Sequence, residues 1–353
     1  ALVMGQYILR RLLLMVPTLF GILLINFAVV QFTPGGPVEQ MLYRLKNPDH
    51  TNASAQADIQ QSGQARGIPP EVIKKIEALY GFDQPAYVRF GQMVVRYLQG
   101  DFGESFYRNA KVTDLIAEKL PTSISLGLWS TLLIYFISIP LGIYKAVRHG
   151  SRFDVASSFM LSILYALPGF LLAMVLIVLL AGGSYWQVFP LRGLTSEGFS
   201  DFTLWQQITD YFWHLALPLT AYTIGGFATL TALTKNSFLD EINKQYVYTA
   251  RAKGLTERQV LYGHVFRNSM LIIIAGFPAA FVGMFFTGSL LIEVMFSLDG
   301  LGLLSFEAVT QRDYPVFFGT LFIFTLLGLV VKLLSDLVYV WVDPRIHFQQ
   351  QMG

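Results

Sequence analysis

One short run in the second half of the chain holds the residues whose types and spacing suggest chemistry. It consists of Tyr248, Thr249, Ala250, Arg251, Ala252, Lys253, Gly254 and Leu255. Arginine and lysine donate charge-assisted hydrogen bonds to carboxylates, and small neighbours let a groove of another protein close over the chain. The run can therefore dock a partner protein that presents acidic groups. An ordinary membrane loop whose charges only set topology is the alternative, and the residue pattern alone leaves both open.

Two helix-start signals and a glycine divide the surrounding segment, residues 235–268. Ser237 with Asp240, and Thr256 with Gln259, have the spacing of capping boxes, whose side chains bind the free N–H groups of a first helical turn. Gly254 stands where a residue with positive φ would end a helix. The pattern predicts two short helices that meet at Gly254, directly beneath a membrane.

Three charged residues in or beside apolar segments are weaker candidates. Lys332 and Asp336 are four residues apart on one helical face, which indicates a structural pair near the inner interface, with a proton or substrate relay as the alternative. Glu293 lies at the outer end of an apolar segment. It is a possible pathway residue that would contact an amine of a substrate, and a cap or loop anchor is the alternative.

Many enzyme chemistries are excluded because their motifs are absent. The chain has no cysteine, which excludes a disulfide framework, cysteine-ligated zinc and a cysteine nucleophile. It has no Gly-x-x-x-x-Gly-Lys-Ser/Thr run, so ATP hydrolysis must come from separate subunits. Its 5 histidines are scattered singly, and its net charge of +2 gives no support for a nucleic-acid partner. We therefore expect no catalytic residue, no metal, no bound cofactor and no enzyme activity in this chain.

The elements that must position these residues are membrane-spanning helices. The chain is 54% hydrophobic and only 14% charged, against about 25% charged in soluble domains. A helix needs roughly 20 apolar residues to cross a bilayer, and continuous apolar runs favour helices over barrel strands. The stretches that qualify are about 11–32, 123–144, 155–181, 211–234, 269–292 and 315–341.

Lysine and arginine predict the orientation of these spans. They concentrate at 145–152 and 235–267, whereas the other short connections carry only Arg192 and Arg312. The positive-inside rule then places both termini in the cytoplasm. The long segment between the first two spans must lie outside, and within it residues 71–80 and about 86–98 have the pattern of amphipathic helices.

The expected domain organisation follows from these spans. Residues 1–32 form the cytoplasmic N-terminus and first transmembrane helix, residues 33–122 form an outer segment of helices and loops, and residues 123–353 form a five-helix core that includes the cytoplasmic loop 235–268.

The loop at 248–254 resembles the EAA loop of bacterial ABC importer permeases. Ala250 and Gly254 match that family's pattern, while Tyr248 and Thr249 replace its Glu and first Ala, as in the peptide-importer branch. Further segments resemble the B-type dipeptide and oligopeptide permeases (DppB/OppB family), and within them the Yej-type branch, which also admits microcin C. These segments include 7–12, 34–37, 80–85, 100–105, 121–123, 214–218, 293–302, 312–315 and 343–346.

This resemblance implies a fold, a function and partners. The fold is a type I ABC importer (MetI-like) permease fold with six transmembrane helices and a helical periplasmic insertion after the first span. The function is a peptide permease that works by alternating access in the bacterial inner membrane, with residues 248–255 as the coupling helix. The implied partners are a C-type permease, two ATPase subunits or one fused ATPase carrying ATP and Mg, a periplasmic peptide-binding protein, the peptide itself and membrane lipid.

A second class of function remains open. An ion-coupled carrier or a membrane-embedded enzyme would need a polar cluster within the spans, and a carrier would keep transporting after loss of the ATPase partners.

Overall fold

The structure, a computed structural model, describes residues 2–32, 84–108, 110–182, 185–287 and 289–342, together with Lys74. Regular structure in these residues is helical, apart from an isolated antiparallel bridge between Glu104 and Lys111. The predicted all-α class is therefore confirmed. Apart from Lys74, the predicted helix at 71–80 lies outside the described residues, as does the segment 343–346.

The described α-helices are numbered here in chain order. They are α1 (Leu2–Phe32), α2 (Ala86–Leu98), α3 (Val112–Val147), α4 (Arg152–Ala166), α5 (Gly169–Leu180), α6 (Leu204–Ile242), α7 (Gln245–Ala252), α8 (Glu257–Val260), α9 (Phe266–Thr287), α10 (Ser289–Met295), α11 (Leu301–Thr310) and α12 (Tyr314–Val342). A 3₁₀ turn lies at Phe199–Asp201, and a π-helix at Leu261–Val265 joins α8 to α9.

The predicted spans correspond to these helices, with one change. Within the described residues, five stretches of helix are long and apolar enough to cross a membrane, and α4 with α5 provides a sixth crossing if the bent pair counts as one span. The predicted single helix at 155–181 is wrong, because the chain bends by 89° between α4 and α5. Pro168 causes the break, since proline lacks an N–H and forces the preceding Leu167 into an extended conformation.

The chain folds into two compact units. Of the residues that the structure describes, the first unit takes those within 1–8, 119–304 and 327–342, and the second takes those within 9–118 and 305–326. In the first unit, α6 is the central helix and packs against α4, α5, α9 and α10.

Two apolar cores hold the first unit together. One, which we call the Val247 core, surrounds the predicted docking segment and joins α3, α6, α7, α8 and α9. Its buried residues are Ile134, Ile143, Ala146, Leu230, Phe238, Val247, Ala250, Val260, Val265, Met270 and Ile273. The other core is built around Leu126, Leu215, Phe296 and Leu298. Between membrane helices, close van der Waals packing of such side chains is a main stabilising term.

In the second unit, the predicted helix at 86–98 is confirmed as α2. The ring of Tyr97 on this helix packs edge-on against Phe102 and Phe322, with centroid distances of 5.0 and 5.4 Å. The buried Asp313 accepts hydrogen bonds from the Ser105 hydroxyl and from the backbone N–H of Phe106. These contacts fix residues 101–106 to the segment that leads into α12.

Candidate functional site

The predicted docking segment begins with a sharp turn after α6. Glu241, near the end of α6, pairs with Lys244 and accepts a hydrogen bond of 2.7 Å from the Tyr246 hydroxyl. Partial burial, together with this hydrogen bond, raises the pKa of the Tyr246 phenol and keeps it a donor. Glu241 thus holds the turn through both Lys244 and Tyr246. The turn sets the direction in which α7 leaves α6.

The capping box predicted at Ser237 is wrong. Ser237 lies inside α6, and its hydroxyl donates to the backbone oxygen of Ser269 at 2.8 Å. An N-cap needs a non-helical residue, and at this position the apolar helix has not yet ended. The N-cap position of α7 is instead occupied by Lys244, whose backbone is extended and whose side chain makes no capping hydrogen bond.

The glycine stop and the second capping box are both confirmed. Gly254 has φ +81°, the left-handed conformation in which glycine has no steric cost. Thr256 and Gln259 form a reciprocal capping box that opens α8. The second helix is nevertheless not a separate short helix, because α8 continues through the π-helix into the membrane helix α9. Only α7 is short, and a π-helix at such a junction is typical of functional sites.

The helix α7 has one buried edge and one exposed face. Val247 is 0% and Ala250 6% exposed, three residues apart on one side of the helix, and both belong to the Val247 core. Burying a valine side chain contributes about 1.5–3 kcal/mol, which is enough to seat so short a helix. On the other side Tyr248 is 56% exposed, and Thr249 and Ala252 are also exposed. The exposed face is therefore small and polar beside one aromatic ring.

The two basic residues of the segment have different surroundings. The Arg251 guanidinium forms a two-pronged ion pair with Glu257, at 2.8 and 3.0 Å, across the Gly254 turn. This pair raises the pKa of Arg251. Lys253 is exposed and makes no ion pair within the described part of the chain. Because Arg251 is already paired within this chain, only Lys253 remains predicted to contact a partner's carboxylate.

Glu257 is a residue that sequence reasoning missed. The available signal was a positive charge before a glycine stop and a negative charge in the first turn of the next helix, six residues apart. An acidic residue is also favoured at that position by the helix dipole. Next to it, Arg258, Gln259, Tyr262 and Gly263 line a surface groove.

Glu293, the possible pathway residue, is completely buried. One carboxylate oxygen accepts a hydrogen bond from the Ser123 hydroxyl at 3.1 Å, and the other accepts one from the backbone N–H of Leu303 at 2.9 Å. Its backbone oxygen accepts from the N–H of Leu298 at 2.8 Å. This arrangement supports the loop-anchoring alternative, since the carboxylate holds the loop 296–300 and the first turn of α11 back against α10.

Two glycines make room for this carboxylate. A Cβ atom at Gly300 would lie 2.6 Å from the nearer carboxylate oxygen of Glu293. A Cβ at Gly302 would lie 2.7 Å from the same oxygen and 2.9 Å from the Cα atom of Leu290. The loop at Gly300 and the first turn of α11 at Gly302 therefore need glycine for space.

The proposed pair in α12 is not seen. Lys332 is exposed and Asp336 is half-buried, and no ion pair between them occurs among the described residues. Within the same residues, no group of three or more His, Asp or Glu side chains is arranged to hold a metal ion.

Comparison with known proteins places these features in context. Residues 138–348 match the family described as binding-protein-dependent transport system inner membrane component. The chain is 58% identical to the peptidoglycan transport system permease protein YejB of Agrobacterium fabrum, over 99% of this chain and 100% of the relative. It is 56% identical to the inner membrane ABC transporter permease protein YejB of Escherichia coli O157:H7, over 98% and 100%. It is 34% identical to the oligopeptide transport system permease protein AppB of Bacillus subtilis, again over 98% and 100%.

Proposed function

Because this chain belongs to the family of binding-protein-dependent transport system inner membrane components, we propose that it is the permease subunit of an ATP-driven ABC importer of peptides. The family match covers residues 138–348, which contain α7, the Gly254 turn and most of the MetI-like core. Peptide cargo is supported by the oligopeptide permease among the relatives. Two features support the docking role. The exposed face of α7 carries the small residues Thr249 and Ala252, and the next helix, α8, continues through the π-helix into the membrane helix α9.

The proposed coupling helix is the segment from Tyr248 to Leu255. Thr249 and Ala252 leave room for the wall of a groove in an ATPase subunit, and Lys253 offers a cation to an acidic residue there. Arg251, held by Glu257, shapes the turn rather than meeting the partner. ATP and Mg belong to the ATPase, because this chain contains no P-loop sequence.

The proposed assembly follows from the same family. A C-type permease pairs with this chain in the bacterial inner membrane, two ATPase subunits or one fused ATPase bind on the cytoplasmic side, and a periplasmic protein delivers the peptide. Both termini are cytoplasmic in this proposal, with residues 33–122 outside and residues 123–353 as the permease core.

The proposed mechanism transmits motion through the Val247 core. Closure of the ATPases displaces α7, and Val247 and Ala250 pass that displacement to α3, α6 and α9, which share their core. The membrane helices then alternate between two states that expose the cavity to opposite sides, each favoured by different ligands.

Two kinds of peptide cargo are compatible with the relatives' names. One relative is an oligopeptide permease, and another is named for peptidoglycan transport. Uptake of a labelled tripeptide, competed by unlabelled oligopeptide, by a muropeptide or by microcin C, ranks these cargoes. Competition by none of them would contradict peptide import.

The docking proposal is tested by cross-linking at single cysteines. The chain has no natural cysteine, so Ala252→Cys introduces its only thiol, on the exposed face of α7. With a thiol–amine cross-linker in membranes that contain the whole importer, we expect a product with the ATPase subunit. Ala250→Cys is the matched control, since Ala250 lies two residues away on the same helix but is buried.

Each outcome of this experiment is decisive. An ATPase product from Ala252→Cys and little or none from Ala250→Cys supports the proposal. Products from Ala252→Cys that contain only lipid or this chain itself would overturn it.

A further inference from the structure

A buried ionic cluster lies where α3 ends and α4 begins. The Lys145 ammonium is 3.1 Å from a carboxylate oxygen of Asp154 and donates to the Asp154 backbone oxygen at 2.8 Å. It also donates to the hydroxyls of Ser157 and Ser158, at 2.6 and 2.8 Å. The side chain of Lys145 is only 2% exposed, so this lysine lies inside the protein and not at its surface.

A second lysine reaches the same carboxylate from another helix. Lys235, on α6, lies 2.8 Å from both carboxylate oxygens of Asp154. The backbone N–H of Gly150 donates to Asp154 at 3.1 Å, and the His149 ring lies 3.3 Å from it. Asp154 therefore ties together the end of α3, the start of α4 and a point 81 residues further along the chain on α6.

The balance of charge in this cluster is uneven. Two ammonium groups share one carboxylate, and the side chains of Lys145 and Asp154 are 2% and 4% exposed. Removing one member of a buried ion pair is strongly destabilising, because the remaining charge stays buried without compensation. Removal of Asp154 would leave two cations facing each other, whereas removal of Lys235 would leave a paired Lys145 and Asp154.

The cluster shares its helices with the seat of the docking helix. Ile143 and Ala146 flank Lys145 on α3, and Phe238 lies one helical turn after Lys235 on α6. All three belong to the Val247 core, in which Val247 and Ala250 of α7 are buried. The helices α3 and α6 therefore take part in both contacts. The apolar core joins α7 to α3 and α6, and Asp154 holds α3 and α6 to each other.

A close helix crossing lies one turn away from the cluster. A Cβ at Gly142 of α3 would lie 2.6 Å from the Cβ of Thr234 on α6. Thr234 precedes Lys235, and Gly142 precedes Lys145 by three residues. The ionic contact and the small-residue contact therefore fix the same pair of helices at neighbouring points.

We infer that Asp154 is a positioning residue for energy coupling: it joins the ends of α3, α4 and α6 into one body, so that displacement of α7 reaches the membrane helices together. The inference rests on the proposed function. The sequence pattern assigns Lys145 and Lys235 only to membrane topology. The structure shows instead that both form ion pairs with the buried carboxylate of Asp154.

The test is the coupling ratio of the reconstituted importer, measured as ATP hydrolysed per peptide taken up. For Asp154→Asn we expect the ATPase to co-purify normally, because the exposed face of α7 is unchanged, and the coupling ratio to rise roughly two- to thirtyfold. Asp154→Glu restores the carboxylate and should recover much of the ratio. Asp240→Asn is the matched control, since Asp240 is an exposed acidic residue on α6, the helix that carries Lys235.

A double variant separates positioning from simple charge balance. Asp154→Asn with Lys235→Gln restores the net charge of +1 that Lys145, Lys235 and Asp154 have together. It should be recovered in larger amounts than Asp154→Asn alone, with the coupling ratio still raised, because α6 is no longer tied to α4. It also keeps the test possible if the single variant fails to fold.

Two results would overturn the inference. One is a wild-type coupling ratio in folded Asp154→Asn, and the other is full recovery of the ratio in the double variant. A wild-type chain that does not bind an ATPase at all would instead refute the proposed function, so the two failures are distinguishable.

Discussion

Two buried carboxylates in the first unit have different kinds of partner. Asp154 is bound by two ammonium groups, one from α3 and one from α6. Glu293 is bound by the Ser123 hydroxyl from α3 and by the backbone N–H of Leu303 in the first turn of α11. Both arrangements connect helices that are distant in sequence. The first does so through three charged groups, whereas the second uses an uncharged hydroxyl and also holds the start of α11 against α10. Burial of an acidic residue in a transporter is therefore no evidence by itself of a pathway role, since the partners decide what the carboxylate does.

The glycine at the docking turn and the glycine beside Glu293 are required for different reasons. Gly254 has φ +81° and no atom within 4 Å of the position of a Cβ, so its requirement is conformational. Gly302 has no positive φ, but a Cβ there would collide with the Leu290 backbone and with Glu293. Gly254 provides backbone freedom at an exposed turn, and Gly302 provides space at the buried start of α11. Substitutions should therefore fail in different ways at the two positions.

The largest effect is expected for Gly254→Arg. A left-handed non-glycine residue costs about 1–2 kcal/mol, and the long side chain would project from the docking surface. We expect normal membrane insertion and loss of ATPase co-purification. Gly100→Arg is the matched control, because Gly100 has φ +76° and equally open surroundings. Co-purification of normal amounts of ATPase with Gly254→Arg would contradict this prediction.

Next in size is Gly302→Ala, which probes space rather than conformation. Overpacking against the Leu290 backbone costs about 1–3 kcal/mol, so the thermal midpoint of the purified chain should fall and less of it should accumulate. Gly276→Ala, in α9, is the control, since nothing lies within 4 Å of its Cβ position. Equal midpoints for the two variants would remove the distinction between the glycines.

A smaller effect is expected for Glu293→Gln, which separates the anchoring and pathway readings of this residue. The amide weakens hydrogen bonds to a charged acceptor, which contribute about 2 kcal/mol. Anchoring predicts a lower thermal midpoint with unchanged uptake per folded transporter. An unchanged midpoint with lost uptake would favour a pathway role. Glu197→Gln, at an exposed acidic residue, serves as the control.

The smallest effect is expected for Glu257→Gln, at the surface pair with Arg251. Exposed ion pairs contribute under about 1 kcal/mol, so the thermal midpoint should hardly change. Release of Arg251 should reduce ATPase co-purification by less than Gly254→Arg does. A midpoint shift as large as that of Gly302→Ala would show that the docking turn depends on this pair more than the surface contact implies.

Local signals in the sequence predicted much of the fold and part of the site. The apolar runs gave the spans, the Thr256–Gln259 spacing gave a real capping box, and Gly254 gave a real left-handed stop. These features depend on residues within one or two helical turns of each other. The resemblance to peptide permeases rests on short motifs of the same kind.

Features that depend on distant contacts escaped prediction. Lys235 and Asp154 are 81 residues apart, and a single sequence contains no signal that pairs them. The box at Ser237 failed for a related reason: whether a serine caps a helix depends on whether the preceding chain has already left the helix, which tertiary packing of α6 decides. The commitment of Arg251 to Glu257 required knowing how the chain turns at Gly254.

The right-angled break between α4 and α5 has a consequence for how the chain can exist in a bilayer. The 15 residues of α4 reach only about 22 Å, less than the thickness of the hydrocarbon, so a crossing built from α4 and α5 contains the break. Tyr165 and Leu167 beside it are exposed, and any backbone group that leaves the helical hydrogen-bond ladder at such a break finds no partner among acyl chains. Lipid is thus an unsuitable neighbour at this point, and either water or another polypeptide must solvate the exposed backbone there.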